Sequence, residues 1–408
     1  MVKRTLVMLP TGPGPTQSLL RERPFRVLLA GQTLTMFGDL ALVLVLGIWA
    51  QQLTGSVSVG GAVFFAIVVP ALLAPLLGFV IDRFPRRQVL IANDLVTAAA
   101  LLPLLAVHQA GDVWILFAVA GVYGISQQVF FAARSGLLHS MLADDQLASA
   151  NAVLESLRLG LRTAGPVIGT VLFAELGGSA VALLDAATFV ASAALLWSLR
   201  VPDIERRHGG ATVTELRGGL RHILATPILR RLMVSLCAAV AVLGLLQVVG
   251  LALVHHGLHR PTTFLGVIFG FEGAGAIVGG ILAPTLLRRL GEPRVAGAGL
   301  VASGLGLGLM VDARLAPVLI GATIGGGGFS VFLIGYTTLL QRSTGAELQG
   351  RVFTAAEAAA GVPYCMTLGL AVVGIGLVDY RILLVGSMLL MACAGTYLGR
   401  GPRGATPV

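Results

Sequence analysis

Charged side chains are scarce in this sequence: Asp, Glu, Lys and Arg together make up 12% of 408 residues. A soluble domain carries about twice that share, roughly 25%, so a water-soluble globule is excluded. Lysine occurs once, as Lys3, in the N-terminal tail. A phosphate-binding loop of the Walker A type needs a lysine after its glycines, so an ATP site of that kind is excluded too. Any pumping must draw on an ion or substrate gradient, or on a separate energising subunit. Cysteine is nearly absent: Cys237, Cys365 and Cys393 lie far apart, each within an apolar run. They form neither a disulfide framework nor a paired metal motif. What fills the chain instead is hydrocarbon: 56% of the residues are hydrophobic, and the mean hydropathy is +0.90. The 54 glycines suit close helix packing in lipid. The formal net charge of +9 does not point to nucleic acid, because the basic residues sit between apolar runs, where they set membrane orientation.

A helix needs about 20 apolar residues to cross a bilayer. That ruler predicts twelve spans, at about 25–50, 58–81, 88–109, 112–136, 150–175, 178–200, 228–255, 262–287, 294–311, 315–341, 350–376 and 380–399. With a cytoplasmic N-terminus, the outer loops hold only Arg260, Arg314 and Arg381. Arg158 and Arg162 fall inside the fifth span, and the other 23 of 28 basic residues lie in tails, inner loops or inner helix ends. This asymmetry places both termini in the cytoplasm, with the chain in the cell (inner or plasma) membrane. The stretch before Pro10 is too short for a signal peptide.

The longest polar stretch divides the spans six and six. The expected organisation is a cytoplasmic tail 1–23, a six-helix bundle 24–200, a cytoplasmic loop 201–227, a second bundle 228–400 and a tail 401–408. The halves echo each other weakly. Gly78 to Arg87 after the second span parallels Gly280 to Gly291 after the eighth, and Gly165-Pro166 in the fifth parallels Gly361 to Pro363 in the eleventh. Paired halves of this kind place a substrate site at mid-membrane between them, where rocking gives alternating access.

The stretch from Gly78 to Leu90 resembles the loop motif of the major facilitator superfamily, through Gly78, Asp82, Arg83, Arg86 and Arg87, with Val80 and Pro85 where Leu and Gly are usual. Softer features resemble its macrolide-efflux and enterobactin-exporter-like branch: Gly38-Asp39, Leu53 to Ser56, Asp145 to Asn151, Gly165-Pro166 with Gly169, Leu184-Asp185 and Leu348 to Val352. The resemblance covers about residues 24–400 and implies an all-α membrane fold of two pseudo-symmetric six-helix bundles. It also implies that Asp82 faces the N-terminus of the eleventh span, near Gly350-Arg351, and holds the inner gate shut. The arginines of the motif pair with Asp82, Asp94 or anionic lipid headgroups; the plainer reading is that they fix topology alone.

Ionisable groups at membrane depth are costly, which makes each a candidate for function. Asp39 lies 14 residues into the first span, about 21 Å along its axis. It is a candidate for proton coupling or substrate contact, or is held structurally by backbone or Gln32. Glu272 and Glu357 are candidates for a cationic substrate or a proton, against helix–helix hydrogen bonding or an arginine pair. Arg158 and Arg162 share a face of the fifth span, and Glu155 is placed to neutralise Arg158. Arg162 needs a carboxylate from another helix, such as Asp39 or Glu357, or an anionic substrate group. The fourth span has no mid-membrane Arg of the kind many antiporters of the superfamily carry; Arg134 is at its inner end.

Gly165, Pro166 and Gly169, with Gly160, resemble the antiporter motif of the fifth helix and predict a bend or tight packing. Gly325, Gly326, Gly327 and Gly328 in succession read as a gating point or a very close backbone contact, since each costs about 1 kcal/mol relative to Ala in a helix. The Gly304, Gly306, Gly308 series reads as packing. His255, His256 and His259 lack a carboxylate or Cys partner, and no metal or cofactor is expected. Trp49, Trp114 and Trp197 read as interfacial anchors.

The expected function is therefore secondary-active export of small amphipathic molecules (drug, antibiotic or siderophore-like metabolite) by proton antiport, without ATP, by a monomer in the bilayer. The alternative is a nutrient facilitator or proton symporter of the same superfamily. No nucleophile, base and ligand constellation of a membrane enzyme is found.

Overall fold

The computed structural model describes residues 19, 22–73, 81, 83–142, 144–199 and 213–400. Among these there is no strand. Thirteen α-helices follow one another: α1 (Arg23–Thr54), α2 (Val57–Val68), α3 (Arg86–Leu101), α4 (Val113–Met141), α5 (Asp144–Leu176), α6 (Gly178–Trp197), α7 (Val213–Ala225), α8 (Pro227–Ala252), α9 (Leu265–Leu290), α10 (Glu292–Met310), α11 (Leu315–Arg342), α12 (Ala346–Gly374) and α13 (Tyr380–Gly399). Lipid explains the preference. With no water to satisfy backbone N–H and C=O groups, a spanning segment must bond within itself.

Ten of the expected spans are long and apolar enough to cross a bilayer. Among the described residues the second and fifth positions show shorter apolar stretches, Val57–Ala71 and Ala164–Leu176, and part of the expected second span lies outside them. The fifth looks short for a physical reason. Its helix α5 runs 33 residues without a break, but Glu155, Arg158 and Arg162 in its first half dilute the hydropathy. Helix α3 tightens at Pro103 into a 3-10 turn, Leu102–Ala106, because proline removes an i→i−4 hydrogen bond.

The helices gather into two groups. In the first, α1 packs on α2, α5 and α6, while α3 lies between α4 and α6. In the second, α8 packs on α12 and α13, α10 on α11 and α13, and α9 on α11. Contacts of α5 with α9, and of α2 with α8 and α12, join the groups.

Glycine sets the closest approaches. A β-carbon on Gly169 would stand 2.6 Å from the Ala41 backbone, and one on Gly306 2.7 Å from the nitrogen of Gly325. The Gly304–Gly308 series is packing, as its spacing suggests. Trp49 departs from the expected anchor role. It is buried against Gly178, with its ring 6.3 Å from that of Phe173. Trp114 and Trp197 are exposed, as an interfacial belt requires.

Two helix junctions each turn on one glycine of positive φ. Gly177 joins α5 to α6 at φ 79°, ψ 172°, and Gly291 joins α9 to α10 at φ 78°, ψ 159°. That region is open almost solely to glycine, and strain there costs about 1–3 kcal/mol. Gly177→Ala and Gly291→Ala are each expected to lower the thermal midpoint of the purified protein; unchanged midpoints would rule this strain out.

The polar stretch between the two groups is not all loop. Its second part is the helix α7, which lies against α8 and α12. Gly219 sits on the Arg351 backbone so closely that a β-carbon there would collide with it.

Candidate functional site

The polar centre of the first group is built by three helices. α1 carries Asp39, α4 carries Tyr123 and α6 carries Asp185. The Tyr123 hydroxyl donates a hydrogen bond to Asp39 Oδ1. Asp185 is fully buried and lies opposite Gly38, where a β-carbon would collide with its carboxylate and stand 2.8 Å from Thr188 Oγ1. Gly38 is therefore the residue that lets a carboxyl from α6 come beside Asp39. Thr188 Oγ1 donates to the Asp185 carbonyl at 2.7 Å and lies 3.2 Å from its Oδ1. The other carboxylate oxygen, Oδ2, has no partner. Asp39, Asp94 and Asp185 are electrostatic neighbours. Two carboxyls side by side in low dielectric cannot both be ionised without a cation between or beside them.

The glycines of α5 frame this centre. Gly165 and Gly169 rest on Leu40 and Ala41, the two residues after Asp39. Pro166 lies within the continuous helix, and Thr170 Oγ1 donates to its carbonyl at 3.0 Å. Small residues here hold α5 tightly to the helix that carries Asp39. Gly160, by contrast, faces open space.

The remaining expected residues are distributed more widely. Glu272 on α9 is half-buried, its backbone carbonyl against Gly326, and Glu357 on α12 is exposed, with Tyr336 of α11 in electrostatic reach. Neither is shown beside Asp39. The Arg162 side chain lies outside the described residues, as do Gly78 and Asp82 of the loop motif. Arg83 is exposed, and Arg86 lies along α4 at Gly136. Arg87 takes a place not foreseen: its Nε donates to the Leu196 carbonyl at 2.9 Å and its Nη2 to that of Trp197. It caps the C-terminus of α6, where a cation offsets the helix dipole. Asp94 is buried beside Ser192 of α6 and no arginine is shown in contact with it, while a pairing of the loop arginines with Asp82 lies outside the described residues.

Every member of the glycine run in α11 touches another helix, and three would do so through an added β-carbon; Gly325 accepts at its carbonyl from Ser303 Oγ of α10 at 3.1 Å. Gly326 meets Glu272, Gly327 lies 3.0 Å from the Gly275 carbonyl, and Gly328 lies 2.6 Å from that of Gly299, distances taken from the added β-carbon. A β-carbon on Gly325 would have nothing within 4 Å. His255 and His256 occupy a π-helical turn, Leu253–Gly257, with rings 4.7 Å apart. Among the described residues no three His, Cys, Asp or Glu side chains converge as metal ligands.

The sequence carries no signal for Tyr123, offers Asp94 only as a partner for the loop arginines, and holds Asp185 in a motif without giving it a role. The rule applied to Asp39 would have found both acids, since each is an ionisable residue inside an apolar run.

At the end away from Arg86 and Arg87, the two groups are tied together. Thr262 Oγ1 donates to Gln51 Oε1 at 3.0 Å, and Gln52 Nε2 reaches Thr262 Oγ1 at 3.5 Å. Gly61 lies against Val248, and Gly266 against Thr170, on the same side.

A family model described as Major Facilitator Superfamily matches residues 28–368. The chain belongs to the Major Facilitator Superfamily. Among curated members it is similar to the uncharacterized MFS-type transporter YfiS of Bacillus subtilis, at 23% identity over 93% of this chain and 94% of that one. It is also similar to macrolide efflux protein A of Streptococcus pyogenes, at 22% identity over 45% of this chain and 46% of the other. The fold matches an inward-facing bacterial homologue of the iron transporter ferroportin, with a TM-score of 0.72 at 20% identity, covering 92% of this chain and 98% of that one. Against the outward-facing state of such a homologue the score is 0.60. The chain is thus a multi-pass membrane protein with the fold of a superfamily transporter.

Proposed function

We propose that this transporter exports small amphipathic organic molecules across the cell membrane in exchange for protons. The observation that carries the reading is the pair of acids at mid-span, Asp39 bonded by Tyr123 and Asp185 beside it. A carboxyl held by neutral hydroxyls in hydrocarbon accepts and releases a proton at little cost in reorganisation, which is what coupling requires. The likeness to a macrolide efflux protein supports an amphipathic organic cargo leaving the cell.

In this reading the halves 24–200 and 228–400 rock about a site between them, and both termini are cytoplasmic. The Gln51–Thr262 ties close the outer side, so the conformation is inward-facing, in keeping with the higher inward-facing score. Glu272 and Glu357 on the second half contact a cationic cargo. Asp82 latches the inner gate when the cycle turns outward. Arg162 is a structural or coupling partner for an acid on another helix. The chain works as a monomer, with no cofactor, and is not an enzyme.

The test is uptake of ethidium, a fluorescent lipophilic cation, by respiring everted vesicles that contain the protein. Uptake above that of vesicles lacking it, collapsing with a protonophore, is the expected result. Uptake that survives the protonophore overturns proton coupling. Accumulation in right-side-out vesicles, driven by an inward proton gradient, would instead make this an uptake symporter.

A further inference from the structure

Asp94 is used by nothing described so far. It lies on α3, is fully buried, and the side chain bonded to it is a neutral hydroxyl, with no arginine beside it. Burying an ionised carboxylate this way is prohibitively costly, so the oxygens must hold a cation, of which the smallest is a proton. Its neighbour on α6 is Ser192, which also lies 3.1 Å from the position of a β-carbon on Gly31 of α1. At the same depth on α1 the Gln32 amide is buried with both polar atoms unpartnered.

Between this chamber and Asp39 lie three hydroxyls, those of Tyr123, Ser126 and Thr97, of which Ser126 and Thr97 touch; Thr97 Oγ1 also lies 2.7 Å from the Asn93 carbonyl. Tyr123, which bonds Asp39, is followed three residues later on α4 by Ser126. Residues at that spacing share a helix face, one turn apart. Ser126 Oγ lies 2.6 Å from Thr97 Oγ1 of α3, and both are buried. Thr97 is in turn three residues from Asp94 on the same helix. The order from mid-span toward the basic end is Asp39, Tyr123, Ser126, Thr97, Asp94, Ser192. Two other helices give the same depth independently: seven residues separate Gly31 from Gly38 on α1 and Ser192 from Asp185 on α6, about 10 Å in each case. The surroundings are hydrocarbon, with Ala98, Leu101 and Phe189 in the core beside these groups.

We propose that Asp94 is the second station of a proton path running inside the first half of the molecule, joined to Asp39 by the hydroxyls of Tyr123, Ser126 and Thr97. The inference deepens the antiport reading and rests on it. In one passage Asp94 first releases its proton toward the basic end and is then reprotonated by the proton that Asp39 gives up; each hydroxyl passes one on and takes one, ending as it began. The titratable groups facing the path are Asp39 from α1, Asp94 from α3, Tyr123 from α4 and Asp185 from α6. From α5 the contacts on this part of α1 are Gly165 and Gly169. The path keeps protons out of the cargo's way, since its members lie within one group of helices and not between the two.

Infrared difference spectra of the purified protein through an alkaline pH jump test this, with a pH-indicator dye timing proton release. The wild type is expected to show a protonated-carboxyl C=O band that shifts in D2O. Asp94→Asn removes one component and slows release from the remaining acids by roughly a hundredfold, the lower end of what a positioned proton-transfer group contributes. Asp94→Glu restores the rate, and Ser126→Ala, a milder change, slows it without removing a band. An unchanged band in Asp94→Asn overturns the proposal, as does a lost band with an unchanged rate. A band lost on adding sodium chloride at constant pH overturns it as well, making the chamber a sodium site. The antiport reading fails separately, if Asp39→Asn exports ethidium normally while the Asp94 band and its kinetics remain.

Discussion

Asp39→Asn is expected to cut protonophore-sensitive ethidium uptake in everted vesicles by roughly a hundredfold, the order that a positioned proton-transfer group contributes. Asn has nearly the volume of Asp, and its side-chain oxygen still accepts the Tyr123 hydroxyl, so the helix contacts survive. What is lost is the ability to take up and release a proton. Protein yield and thermal midpoint should therefore match the wild type, which separates this outcome from misfolding. Tyr123→Phe leaves the acid but removes its donor. A hydrogen bond to a charged group contributes about 1.5–3 kcal/mol, so a loss of roughly tenfold or more is expected. Uptake unchanged in Asp39→Asn would overturn the antiport reading built on Asp39.

The second large effect lies in the glycine run of α11, where adjacent residues should respond in opposite directions. Gly325→Ala adds a methyl group to open space and removes a poor helix former, a gain of about 1 kcal/mol. Gly326→Ala drives its new methyl into the Glu272 carbonyl on α9 and within 2.8 Å of the Glu272 Cγ. Forcing a group into a filled interface costs about 1–3 kcal/mol. Thermal unfolding of the two purified variants should thus bracket the wild type, with Gly325→Ala above it and Gly326→Ala below. Equal shifts of the same sign would mean that the run serves mobility, and not the close seating of α11 on α9. Transport separates the two further. A hinge loses turnover in both variants, whereas a contact loses it only where the contact is broken.

The architecture was largely legible in the sequence because the membrane imposes a simple ruler on it. Runs of about 20 apolar residues have one way to satisfy their backbone, and the helices begin and end within a few residues of the expected spans. The fifth span, expected at 150–175, is covered by α5 even though its first half carries charge and its apolar part is brief. The ruler could not show that part of the linker is a helix, since α7 mixes polar and apolar residues and is held by its neighbours.

The site was legible only in part. Asp39 stands out alone in an apolar run, but its partners come from α4 and α6, some 84 and 146 residues away in the chain. A tyrosine in a span reads as ordinary packing until the acid opposite it is known. Arg87 misled for a related reason. Its neighbours in the chain suggest a gate, while its hydrogen bonds go to the end of α6, 109 residues on. Trp49 lies near a span end in sequence, yet the turn at Gly177 brings the start of α6 over its ring. Spacing along a chain reports which face a residue occupies; it does not report what that face meets.

The seating of α7 on α12 through Gly219 has a consequence for how the polypeptide may be cut. Because α7 belongs by contact to the second group of helices, the true seam between the halves falls before Val213 and not at the middle of the polar stretch. Two separately synthesised fragments divided at residue 212 would each keep their own partners, and are expected to reassociate in one membrane into a working transporter. A division at residue 226 would strand α7 on the wrong fragment and strip α12 of its cover at Arg351.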